Sequence, residues 1–183
     1  MDEMNIEMQQ DKNEILSVLN ETEDFSTMFN ENTELFSTLQ MNSINDRIKI
    51  ANAVMGKTEK LTDNLFKTFY LQDFICQNLQ LEPMNSEQQH YDEYGNVIKE
   101  NVARIVLICN DEDGKQRVLD CCSSGVLSSL KMIVALFGMP HTEMWQEPLL
   151  IEVQQTKTKK GYNVTKIVPV LDNEKVQQTK TKK

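Results

Sequence analysis

A small β-barrel with helices attached is what this 183-residue sequence predicts, and three observations carry the prediction. Two hairpin-like pairs of apolar, β-branched runs are present, a helix with marked ends lies between them, and a further strand-like run precedes the first pair. Strand, strand, strand, helix, strand, strand is the chain order of an OB-fold, a five-stranded Greek-key barrel whose helix joins strands three and four.

The helix is the pivot. Within Cys121 to Pro140 (CCSSGVLSSLKMIVALFGMP), Val126, Leu127, Leu130, Ile133, Val134 and Phe137 recur at helical spacing. Ser123 or Ser124 can cap the first turn, Gly138 suits the left-handed residue after the last, and Pro140 bars continuation. Ahead of it, Val102 to Cys109 and Gln116 to Cys122 flank Asn110 to Lys115, a stretch of turn formers. Behind it, Leu149 to Thr156 and Asn163 to Val170 flank Lys157 to Tyr162, where Gly161 can take a positive φ. The first strand, Tyr70 to Glu82, sets Leu71, Ile75, Leu79 and Leu81 at even spacing on one face. Phe69, Phe74 and Cys76 interrupt that alternation, and a helix starting at Asp63 is an alternative for the same stretch.

The N-terminal part reads as short helices without sheet. Met1 to Asn20 is a polar lead with one helical patch at Ile15, Leu16, Val18 and Leu19. Thr22-Glu23-Asp24-Phe25 starts a short helix bearing Phe25, Met28 and Phe29, and its FSTMF is echoed by LFSTL at Leu35 to Leu39. In Ser43 to Met55, Ser43 caps a helix with Ile44, Ile48, Ala51 and Met55 along one side, and Gly56 ends it. The expected division is an acidic helical segment at 1–62, an OB-fold at 63–172 and a flexible basic tail at 173–183. In that tail Val176 to Lys183 repeats Val153 to Lys160 (VQQTKTKK) without change.

Composition narrows the classes of function. A hydrophobic content of 39% suits a buried core, and no apolar run approaches the roughly 18 to 20 residues that span a bilayer. Met1 to Gln10 is too acidic for a secretory signal, so a cytoplasmic protein without a membrane partner is expected. Cys76, Cys109, Cys121 and Cys122 all fall in predicted strands without C-x-x-C spacing, which reads as reduced thiols packed as small apolar groups. No ligand spacing joins them to His90 or His141, so neither metal nor cofactor is expected. Ser123 and Ser124 lack a G-x-S-x-G context and no phosphate-binding G-x-x-x-x-G-K-[ST] occurs, which points away from an enzyme.

The formal charge of −9 is unevenly spread. Residues 1–100 carry 19 acids and 7 bases, whereas from Val153 onward there are 8 bases and 2 acids. A surface that binds a phosphate backbone needs a local basic track more than a basic average. Lys157, Lys159, Lys160 and Tyr162 put three ammonium groups and a ring on one turn, and Lys166 follows on the next strand. That combination suits phosphate contacts plus a stacked base; the bland reading is a solvated hairpin whose lysines keep an edge from pairing. In an OB-fold the loops between strands one and two and between four and five flank the binding groove. Tyr91 and Tyr94, in the long connection Pro83 to Glu100, are therefore further stacking candidates. Arg104 and Arg117 on strands two and three, with Lys115 beside them, can serve as sheet-face contacts to phosphate or base. Trp145 completes the candidates, although a tryptophan after a helix is more often a plug over a barrel end.

Arg104 to Ile108, Asp113-Gly114-Lys115, Ser123 to Val126, Ser129-Leu130, Phe137-Gly138, Pro140 and Trp145-Gln146-Glu147-Pro148, with the basic hairpin after them, resemble a known family. It is that of the single-stranded DNA-binding proteins encoded by bacteriophages, especially phages of Gram-positive hosts, and the resemblance covers roughly the C-terminal half. It implies an OB-fold that coats single-stranded DNA during phage replication or recombination in the host cytoplasm. For the acidic N-terminal segment the favoured expectation is packing on the barrel; the alternatives are binding a partner, such as a replication or recombination protein, or covering the basic groove in the absence of DNA. The lysine-rich C-terminus departs from the acidic tip common in cellular counterparts. The rival is a non-enzymatic protein-interaction module, or an acidic DNA mimic that binds a protein and ignores oligonucleotides.

Overall fold

The computed structural model describes residues 29–30, 32–83 and 89–171. The expected helices before Phe29, the tail at 173–183 and the second VQQTKTKK lie outside the described residues. In chain order the elements are β1 (Leu35–Ser37), α1 (Ile44–Met55), β2 (Glu59–Lys60), a 3-10 turn (Leu61–Asn64), β3 (Thr68–Leu81), β4 (Glu100–Asn110), β5 (Gln116–Cys121), α2 (Ser124–Phe137), β6 (Leu149–Lys157) and β7 (Asn163–Pro169). The five strands and the intervening helix read from the sequence are β3, β4, β5, α2, β6 and β7. A strand, not a helix, follows the 3-10 turn that begins at Leu61.

All strands share one mixed sheet in the order β2-β5-β4-β3-β6-β7, with β1 also paired to β3. β1 and β2 correct the expectation that the acidic segment contributes no sheet: β1 runs antiparallel to β3, and β2 runs parallel to β5. The sheet curls into a half-barrel, an OB-like, mainly β architecture that carries two helices among the described residues. β3 makes the curl possible. One edge pairs with β4, while the other pairs with β6 over Thr68 to Leu71 and with β1 over Ile75 to Gln77.

A β-bulge between Leu71 and Asp73 separates those two stretches and shifts the inward parity. Phe69 and Leu71 before it, and Phe74 and Cys76 after it, all join the main core. The broken alternation in the sequence is thus the bulge itself. Leu71 and Ile75, expected on one face, lie on opposite faces: Leu71 packs in the main core and Ile75 against α1.

The inner face closes over α2. Val126, Leu130, Ile133 and Val134 are buried with Ile105, Leu107, Leu119, Ile151, Val153 and Ile167. Gly138 ends α2 at φ 72°, as expected of a residue in the left-handed region, and its N–H donates to Val134 O at 2.8 Å. Ser123 occupies the N-cap position, but its hydroxyl makes no cap bond and donates instead to Thr165 O at 2.9 Å. Gly125 stands so near β7 that an added Cβ would lie 2.5 Å from Thr165 O. The first turn of α2 therefore bridges β5 and β7, which lie far apart in the strand order.

α1 covers the opposite face. Its capping box pairs the Ser43 side chain with the Asp46 N–H at 3.2 Å and the Ser43 N–H with Asp46 Oδ2 at 3.1 Å. Gly56 ends it by close approach, since a Cβ there would sit 2.2 Å from Asn52 O. Ile50 and Ala53 bury against Ile75, Val106 and Ile108. The apolar stripe read from the sequence is turned outward, with Ile44 and Met55 76% and 84% exposed. Both sides of this helix carry apolar residues, and the sheet takes the other one.

Candidate nucleic-acid interface

The basic hairpin is built by its backbone. Thr158 N–H donates to Tyr162 O at 2.8 Å, Gly161 N–H to Thr158 O at 2.9 Å, and Tyr162 N–H to Thr158 Oγ1 at 3.1 Å. Gly161 takes φ 86°, which a side chain would oppose. No lysine side chain is needed to hold this turn, so Lys157, Lys159, Lys160 and Tyr162 all project into solvent. Behind them β6 and β7 pair in unbroken register from Ile151↔Pro169 to Lys157↔Asn163, a rigid support. Lys166 is half-buried on β7, beside α2.

The second aromatic group is a miniature hairpin inside the β3–β4 connection. Tyr91 bridges Val97, and Asp92 Oδ1 accepts from Tyr94 N–H at 2.9 Å and Asn96 N–H at 2.8 Å. Hydrogen bonding from the Asn96 side chain is the largest influence holding the Asp92 carboxyl below its ordinary range. Tyr94 stands at the tip, 81% exposed, and the Tyr91 hydroxyl donates to Gln89 Oε1 at 3.2 Å. The eighteen-residue connection is thus ordered around Asp92 where it is described, between His90 and Ile98.

Three of the sequence candidates are placed differently. Arg104 lies on the face covered by α1, donating to Asp120 Oδ2 at 2.8 and 3.1 Å and to Val54 O at 2.7 Å. Arg117 forks between Glu59 on β2 and Asp111 on the β4–β5 turn, with 3.3 Å to Asp111 Oδ2. The hydrogen bond from Arg117 holds the Glu59 carboxyl below its ordinary range, and the same bond raises Arg117 further. Both guanidinium groups tie elements together where exposed contacts were expected. Trp145 is 4% exposed within the main core, so it offers no face to a base. Lys115 remains exposed on the β4–β5 turn.

With this geometry in view, the decisive comparison is a family model, Phage Single-stranded DNA-binding protein, which matches residues 29–167. The chain belongs to that family. Searches of curated proteins and of solved structures gave no match. The match spans β1 through nearly all of β7, so the matched region takes in α1 and its segment as well as the strands of the half-barrel.

The rest of the chemistry in this family member is quiet. Burial pushes the Cys76 thiol up to about 12 and Cys121 up to about 11, and Cys109 is likewise raised, so these thiols stay protonated. Cys122 is exposed, against the expectation that all four pack as apolar groups. Among the described residues no three of His, Cys, Asp and Glu gather as metal ligands, and no helix is long and apolar enough to cross a membrane. One exposed ring escaped the sequence reading. Phe66, just before β3, is 70% exposed at φ 63°, and no local sequence signal marks it.

Proposed function

We infer that this protein binds single-stranded DNA without strong sequence preference and keeps it extended and unpaired during phage DNA replication or recombination. The reading takes the half-barrel as an OB-fold whose barrel strands are β3 to β7 and whose α2 is the helix between the third and fourth. The observation that carries it is the pairing of family membership with a solvent-facing turn bearing Lys157, Lys159, Lys160 and Tyr162 on a rigid two-strand support. The lysines contact phosphates, Tyr162, Tyr91 and Tyr94 accept bases, and Lys115 and Lys166 extend the basic track. No bond is made or broken, so the action is binding and not catalysis. Stacking of about 1–3 kcal/mol per base does not depend on base identity, which makes sequence tolerance the expected behaviour.

The test is a fluorescence titration of a labelled single-stranded oligonucleotide and of its duplex at two salt concentrations. The single strand should bind much more tightly and lose affinity steeply with salt. Equal affinity for both, or none for either, would sink the reading.

A further inference from the structure

Phe66 occupies the short connection between the 3-10 turn and β3, and its backbone lies at φ 63°. Among the described non-glycine residues it shares a positive φ only with His141. For an L-residue with a bulky side chain this region is strained, because Cβ crowds the following carbonyl; glycine or asparagine is the residue usually found there. An aromatic side chain can offset such strain by burial, but this ring is 70% exposed.

The strain is imposed from outside. Phe66 N–H donates to Val153 O at 2.7 Å, Val153 N–H donates to Lys67 O at 3.0 Å, and Lys67 N–H reaches Asn64 O at 3.3 Å. Asn64 is itself buried, donating from Nδ2 to Lys60 O at 3.1 Å and accepting from Lys67 Nζ at 3.0 Å. The mount is therefore fixed on both sides by β6 and by the 3-10 turn. Strained residues held in this way concentrate at functional sites, and the inference runs from the outlier to the role.

We propose that Phe66 is a base-stacking platform of the DNA-binding surface, taking an unpaired nucleobase of any identity against its ring. This rests on the single-stranded DNA reading and adds a residue to it. The mount clamps onto Val153, in the same strand that carries Lys157 four residues on. At about 3.3 Å per residue that separation is ~13 Å, so one strand of DNA can lie over the ring while its phosphates meet the lysine turn. A ring already fixed in place loses little freedom when a base stacks on it.

The test separates strain from stacking. Phe66→Gly and Phe66→Asn relieve the backbone and remove the ring; Phe66→Trp keeps an aromatic face. The Gly and Asn variants should hold or raise Tm while their affinity for oligo-dT falls about 5- to 150-fold, the equivalent of one lost stacked base. Their salt dependence should match that of the wild type, since no charge is removed. The Trp variant should keep wild-type affinity, and its added fluorescence should be quenched by oligo-dT over the constant signal of buried Trp145. Wild-type binding matched within twofold by the Gly and Asn variants would overturn the platform and leave the DNA reading intact. Failure of the wild type to bind would overturn the DNA reading, and the platform with it. A marked fall in Tm for both variants would overturn the strain argument.

Discussion

Removing charge from the β6–β7 turn is the most direct perturbation of the proposed binding surface. The triple substitution of Lys157, Lys159 and Lys160 to glutamine keeps polar side chains of similar reach. All three lysines are exposed, and the turn is held by Thr158, Gly161 and Tyr162, so folding should be unaffected. On single-stranded DNA each neutralised phosphate contributes about 0.7 to the slope of log affinity against log salt. Three lost contacts should flatten that slope by roughly 2. Across a fourfold change in salt, from about 50 to 200 mM, the wild type should therefore lose roughly twentyfold more affinity than the variant. Fluorescence anisotropy of a labelled oligo-dT at several salt concentrations measures the slope, and circular dichroism confirms an unchanged fold. Parallel slopes for the two proteins would refute the assignment of these lysines to the phosphate backbone.

Other parts of the account predict different signatures. Tyr162→Ala should cost about 1–3 kcal/mol of affinity at an unchanged salt slope, while Tyr162→Phe should retain it, read in the same titration. Gly125→Ala forces a Cβ to within 2.4 Å of Val164 Cγ1 and 2.5 Å of Thr165 O, so stability should fall by about 1–3 kcal/mol, visible as a Tm drop of several degrees. Arg104→Ala removes the charged hydrogen bonds to Asp120 and the bond to Val54 O; about 1.5–3 kcal/mol of stability should be lost in denaturant titration while DNA affinity of the folded protein holds. Glu59 and Asp111 titrate below their ordinary values in the folded protein, chiefly through the Arg117 hydrogen bond for Glu59 and the Lys115 backbone N–H for Asp111. Their contribution is complete above the unfolded carboxylate pKa near 4 and is lost as pH falls through the lower folded values. Arg117→Met should flatten that acid limb in Tm measured against pH.

The sequence made α2 legible because its signals were local and redundant: an apolar stripe of helical period, Gly138 and Pro140. What it hid was where Ser123 spends its hydroxyl, since Thr165 lies 42 residues away. β3 was found, but its faces were misread, because one extra residue in a bulge leaves only a flaw in alternation. The two-residue β2 and three-residue β1 are too short to show any period, and only pairing with β5 and β3 makes them strands. α1 kept its caps but not its buried side, because two apolar stripes compete and the choice belongs to the sheet. In the candidate interface the turn lysines could be read, being set by local residues. The arginines could not: Arg104 meets Asp120 at a separation of 16 residues and Arg117 meets Glu59 at 58. Phe66 was invisible for a related reason, since its positive φ comes from a clamp to Val153 and not from a glycine.

How a chain of net charge −9 keeps a basic turn follows from where its acids lie. Asp120 is neutralised by Arg104, Glu59 and Asp111 share Arg117, and Asp46 closes the cap of α1 beside Lys49. Across 149–171, by contrast, Glu152 is the one acid beside four lysines, and its carboxylate accepts from Gln154. At physiological salt the screening length is about 8 Å, so acids far from the turn act on a bound phosphate only weakly. The field at the turn is then set by its own lysines more than by the molecular total. Net charge governs solubility and long-range approach, while contact is decided within one screening length, and there the hairpin is basic.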